Sequence, residues 1–191
     1  MSLEYNANVL FAVDVTLQTF LSNVLKKVKN ITQPNVSLKP PSDIDSKSNL
    51  GLFRYKIQEN SFYKNLETKY IAPDKIQNPP LVVDLFYLLT PYVEPEQSGE
   101  ILTKIMQAFH DVPVLAGSNL KEDLQKSGNN ELKISLNSLK MDELNHLWSL
   151  FGGKPYKMSL SYVVTPVIIP SGIQMNANLV IEKEFSYSKR S

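Results

Sequence analysis

The sequence predicts an α+β domain in which a mixed β-sheet packs with about three amphipathic helices. Apolar residues recur at helical spacing in three separate stretches, and in others they alternate with polar residues. One run, Leu81–Leu89, is apolar on both faces except at Asp84, which marks a central strand covered on each side. The domain is expected to span residues 1–175, with residues 176–191 as a C-terminal strand or arm.

Composition narrows the function. At 191 residues the chain can bury a core without covalent staples, and its zero cysteines exclude thiol nucleophiles and thiolate metal sites. Its 20 basic and 19 acidic residues nearly cancel, so no global field draws it to nucleic acid or an anionic membrane. Around the apolar run 9–13 stand Glu4 and Asp14, without a basic leader or a cleavage site, so no signal peptide is expected. No apolar run approaches the roughly 20 residues that cross a bilayer. The chain reads as soluble and cytoplasmic.

The first helix carries Val13, Leu17, Phe20, Leu21, Val24, Leu25 and Val28 on one stripe. Asp14 is placed near its N-terminus, and Lys26, Lys27 and Lys29 suit the negative end of its dipole. Asn30 and Pro34 end it. Those lysines fit solvated charges better than a phosphate patch. Residues 39–49 form a polar loop, the expected mobile segment between residues 30 and 80. Its Asp43 and Asp45 lack the glycine and closing glutamate of a calcium loop.

Phe53, Tyr55 and Ile57 alternate with Arg54, Lys56 and Gln58, a strand with one wet face. A base-stacking platform would want aromatic and basic side chains together. Strict alternation sends them to opposite faces, which favours core packing. Pro79 and Pro80 precede the central strand, and Thr90-Pro91 is expected to break it. Its Asp84 is either a buried acid with a raised pKa or a carboxylate held by backbone donors or an arginine.

A second helix opens at Pro95 with Glu96 and Glu100 and buries Ile101, Leu102, Ile105, Met106 and Phe109. It stops near Asp111, before Pro113. A polar connection at 117–130 holds a short helical turn, and Leu132, Ile134 and Leu136 then line a one-sided strand. The third helix is expected to start at Ser138, bury Leu144, Leu147, Trp148 and Phe151, and stop at Gly152-Gly153. Residues 157–169 form a long strand in which Pro166 requires an edge position or a bulge. Pro170 to Gly172 turns the chain. Leu179, Ile181, Phe185 and Tyr187 alternate in the tail.

Residues able to do chemistry are few. The two histidines, His110 and His146, belong to no zinc pattern, and no P-loop, GxSxG or GxGxxG occurs. Gly152-Gly153 follows a helix instead of opening one, so it cannot cradle phosphate. Glu94 and Glu96 are read as surface carboxylates. No catalytic, cofactor-binding or metal-binding residue is therefore assigned. An enzyme would have to use His110, Asp84 or Asp111.

Five segments in order carry a family resemblance. They are Leu52-Phe-Arg-Tyr55 with Asn65, Pro79-Pro80 leading into Asp84-Leu-Phe-Tyr-Leu-Leu-Thr-Pro-Tyr92, and Ile105-Met-Gln-Ala-Phe-His-Asp-Val-Pro-Val-Leu115. Glu143-Leu-Asn-His-Leu-Trp-Ser149 and Met158-Ser-Leu-Ser-Tyr162 complete the set. Over roughly residues 10–170 the chain resembles the N-terminal domain of the tail-terminator, or tube–sheath cap, proteins of phage-like contractile injection systems. It departs at the 39–49 loop and at Phe86, where the family often has a histidine or similar residue, and the tail after Ile173 aligns with nothing.

The resemblance implies a phage tail-terminator-like fold assembled as a homo-hexameric ring on the inner tube. Such a ring stops tube growth and holds the last sheath layer. The partners implied are further copies of the chain, the tube protein and the sheath protein, in a particle built in the cytoplasm and released outside the cell. A sheath arm would add to an exposed edge offered by Ser159–Ile169 or by the C-terminal strand. A head–tail completion protein is the alternative reading within the same fold.

Overall fold

The computed structural model describes residues 8–64, 67–72 and 75–176. Helix α1 (Val9–Leu25) begins at Asn8, whose side-chain carbonyl accepts the Phe11 N–H at 3.1 Å. The apolar run 9–13 is thus its first turn, and Asp14 lies inside the helix instead of near its start. Past Leu25 the chain unwinds to Asn30, a non-glycine residue at positive φ (64°).

Strand β1 (Val36–Ser37) is followed by the 39–49 loop, whose Pro41–Asp43 form a 3-10 turn. Asn49 fastens the far end of that loop: its side chain accepts the Asn35 N–H at 2.8 Å and its carbonyl accepts the Tyr92 N–H at 2.9 Å. There follow β2 (Leu50–Glu59), β3 (Lys69–Ala72), β4 (Lys75–Gln77) and β5 (Leu81–Pro91). Helix α2 (Pro95–Asp111) has Pro95 at its first position, as expected. Next come β6 (Val114–Ala116), α3 (Glu122–Lys126), β7 (Glu131–Leu136), α4 (Met141–Ser149), β8 (Leu160–Ile169) and β9 (Gln174–Asn176). Ser138 does not cap α4. Lys140 precedes it, and the Glu143 carboxylate accepts the Lys140 N–H at 2.8 Å.

The main sheet has six strands in the order β1-β2-β5-β8-β7-β6, with β1 parallel to β2 and the other pairs antiparallel. A second sheet joins β3, β4 and β9. β5 is interior, as its two-sided apolar pattern requires. Val83, Leu85, Tyr87 and Leu89 meet α1 and α2 in the main core, while Leu88 on the opposite face joins Leu147, Trp148 and Phe151 in a smaller cluster. Thr90-Pro91 does not break the strand: Pro91 stands opposite Leu50 on β2, and pairing with β8 has already ended at Leu89, so its missing N–H removes no rung on that side.

Two bulges overturn simple alternation. β2 shifts register between Arg54 and Lys56, which inserts Tyr55 as an extra residue. Beyond the bulge Lys56 stands opposite Phe86, its Nζ 4.7 Å from the ring centroid, so basic and aromatic side chains share a face. Ile57 is 49% exposed rather than core. On β8, Val167 and Val164 face Val83 and Leu85, so the extra residue lies at the cis Thr165-Pro166 pair. Pro166 therefore sits in a bulge, and β8 is an interior strand instead of the exposed edge expected at Ser159–Ile169. The tail from 177 on, with its alternating apolar residues, lies outside the described residues, as does Asn65.

Candidate functional site

The enzyme reading would need His110 gathered with an acid in a well-formed pocket, and the fold sets His110 and Asp84 on opposite faces of the sheet. His110 and Asp111 are exposed at the end of α2, on the main-core side of the sheet. Asp84 points to the other face, where Asn60 Nδ2 donates to its carboxylate at 2.8 Å and the Thr165 hydroxyl donates as well. Its holders are side chains from β8 and the end of β2, not the backbone donors or arginine expected. His146 is exposed on α4. Among the described residues no three His, Cys, Asp or Glu side chains gather as metal ligands.

Asp14, expected near a helix start, is instead a largely enclosed acid with its side chain 13% exposed. Tyr87 Oη donates to its Oδ1 at 2.6 Å, and Arg54 Nη1 lies 3.1 Å from each carboxylate oxygen. Arg54 Nη1 also donates to the Leu10 carbonyl at 3.0 Å. Burial raises the Asp14 pKa, with the Tyr87 hydrogen bond and the Arg54 charge opposing it. Tyr87 is also raised, first by burial and then by Asp14. Arg54 thus does not project from a wet face; it ties α1 to the sheet. The arrangement is a structural tie rather than an opening toward a substrate.

What the surface does offer is places for neighbours. Met106 (44% exposed) and Leu136 (50% exposed), both expected in the core, instead flank an apolar groove of about 850 Å³ between α2 and β7. His110 and Pro113 also line it. Beside it runs β6, the terminal strand of the main sheet, whose three residues were too few to signal a strand in the sequence. At the other edge β1 is covered by α1, where Gln18 Nε2 donates to the Val36 carbonyl at 2.7 Å. The outer edge of β6 has no strand against it among the described residues.

A separate cavity of about 430 Å³ opens between the 39–49 loop, the end of β5 and the α4–β8 connection. Tyr92 and Trp148 both line it, and the Tyr92 hydroxyl and Trp148 Nε1 are buried without a hydrogen-bond partner. Burial pushes the Tyr92 pKa up to about 12, so its phenol stays protonated as a donor.

The sequence matches the family model of the Pvc16 N-terminal domain over residues 12–183. Two solved structures share the fold. One is the sheath/tube terminator of an extracellular contractile injection system, PVC, in its extended state, with a TM-score of 0.64 at 14% identity over 93% of this chain. The other is the tube-terminating cap of the anti-feeding prophage, with a TM-score of 0.60 at 17% identity over 92% of this chain. This chain spans 64% of the first protein and 61% of the second, less than two thirds of either. No curated protein matches the sequence significantly.

Proposed function

Because the chain belongs to the Pvc16 N-terminal domain family, we propose that it caps and terminates the inner tube of a contractile, phage-tail-like particle and anchors the last sheath layer, acting as a hexameric ring. The observation that carries this reading is the family match over most of the chain, on a fold shared with two terminator or cap proteins.

The surface supports it. A closed ring needs two different patches per subunit that meet head to tail. The apolar groove between α2 and β7 supplies one such patch, and the free edge of β6 beside it suits an added strand from a sheath arm. Such a cap requires rigidity and sticky edges, not catalysis, a cofactor, nucleic acid or a membrane. Among the described residues no helix is long and apolar enough to cross a membrane. The particle is assembled in the cytoplasm and released outside the cell.

Mixing the purified protein with tube subunits, followed by native mass spectrometry and electron microscopy, tests the proposal. Closed six-fold rings seated on tube ends are the expected result. A strictly monomeric protein that binds neither tube nor sheath overturns it.

A further inference from the structure

We propose that Phe62 is the knob by which one copy of this chain seats in the α2–β7 groove of the next. This contact rests on the ring reading, in which the groove is one of two patches, and supplies the other.

The turn after β2 presents Phe62 to solvent and holds it there. Residues Ser61–Tyr63 form a 3-10 turn, and Phe62 is 92% exposed. The turn hangs on Asn60, which is only 6% exposed. Its backbone N–H donates to the Val82 carbonyl at 2.9 Å, and its side-chain oxygen accepts the Phe62 N–H at 2.9 Å. Its amide nitrogen donates to Asp84 at 2.8 Å and to the Thr165 hydroxyl at 3.1 Å. Both side-chain polar atoms are thus committed to fixing the turn against β5 and β8. Tyr63 and Leu81, exposed as well, line a shallow pocket beside it, so the apolar surface here is a patch and not a scattered residue.

The chain carries the complement itself. At 92% exposure Phe62 does not fill the groove of its own copy, and β5 and β8 stand between the strand it follows and β7. A contact between the two places therefore joins different copies head to tail, as a closed ring requires. Charge selects the groove as the receiving surface. Its lining, with Met106, Phe109, Ile134, Leu136 and Tyr162, contains no Asp, Glu, Lys or Arg. The cavity beside Tyr92, by contrast, is lined by Asp45, Glu94, Lys154 and Lys157. The turn is equally neutral, since Glu59 and Lys64 at its two ends pair with each other at 3.2 Å. A groove of about 850 Å³ has the size that takes a drug-like molecule, so Tyr63 can enter behind Phe62. Methionine sulfur and ring edges suit an incoming phenyl group, and an aromatic anchor in an apolar pocket is the usual centre of an interface.

The chain has no cysteine, so introduced thiols report on the contact without background. Phe62→Cys and Leu136→Cys change exposed positions and are expected to fold like the parent. Treated with a short bismaleimide, with and without tube subunits, a mixture of the two is expected to cross-link, while either alone is not. Phe62→Ser is expected to weaken self-association at least about tenfold, with the melting temperature retained. Closed rings without the mixed cross-link overturn this contact and leave the ring reading standing. A protein that neither cross-links nor self-associates overturns both. Cross-linking of Phe62→Cys alone, rings indifferent to Phe62→Ser, or rings that lose only their hold on tube or sheath assign the knob elsewhere and overturn it equally.

Discussion

Replacing Arg54 with methionine removes the guanidinium from Asp14 and keeps an unbranched apolar stem in its place. Asp14 then retains the Tyr87 hydroxyl at 2.6 Å but loses both contacts to Arg54 Nη1 at 3.1 Å, and the Leu10 carbonyl loses its side-chain donor. Breaking one side of a fully buried ion pair costs about 3–5 kcal/mol. Here the Arg54 side chain is 24% and the Asp14 side chain 13% exposed, so water relieves part of that cost. We expect about 2–3 kcal/mol near pH 7, which for a chain of this size lowers the melting temperature by roughly 5–10 °C.

The pH dependence identifies the cause. Burial already raises the folded-state pKa of Asp14, and loss of the guanidinium raises it further. Below the unfolded pKa the carboxyl is protonated in both states, so the charge penalty vanishes. As pH rises through the folded pKa the variant must bury an unanswered charge, and the penalty reaches its full size. Urea denaturation near pH 4 and near pH 7 should therefore give a small and a large loss respectively. The double variant Asp14→Asn/Arg54→Met should lose that difference. Equal destabilisation at both pH values, or less than about 1 kcal/mol near pH 7, would refute the reasoning.

Other outcomes follow from the packing. Leu85→Ala, at a fully buried position of β5, should cost about 3–4 kcal/mol in chemical denaturation. Gly51→Ala places a Cβ 2.8 Å from Ile44 Cδ1 and 3.0 Å from Tyr92 Cε2, so it should cost about 1–3 kcal/mol and change the Trp148 fluorescence as the cavity wall shifts. Leu136→Asp changes a half-exposed residue of the α2–β7 groove; its stability should stay within about 1 kcal/mol of the parent, while native mass spectrometry should show loss of the proposed ring.

Regular elements were legible because burial imposes periodicity. The stripe Ile101, Leu102, Ile105 and Phe109 and the two-faced run from Leu81 could hardly be anything but a core helix and an interior strand. Departures from periodicity were not legible. Nothing in the order Phe53, Arg54, Tyr55, Lys56 announces that Tyr55 is an extra residue, yet that insertion turns Lys56 toward Phe86 and exposes Ile57. Pro166 signalled an edge or a bulge without deciding between them, because proline forbids a regular rung in either setting. The Asp14–Arg54–Tyr87 tie joins residues 40 and 73 positions apart, and no local pattern encodes such distances. The cavity at Tyr92 escaped for the same reason, since its walls come from three distant segments.

The two hydrophobic clusters lie on opposite faces of the sheet and are very unequal. The smaller rests on Leu88, Leu147, Trp148 and Phe151, with Phe53, Tyr55, Leu139 and Leu144 packed against it. A helix of nine residues held by so few contacts opens at lower free energy than the sheet beneath it. Amide exchange should thus fall into two tiers, with α4 trading hydrogens well before β5 and α1. The molecule thus combines a stable plate with one more easily opened flap.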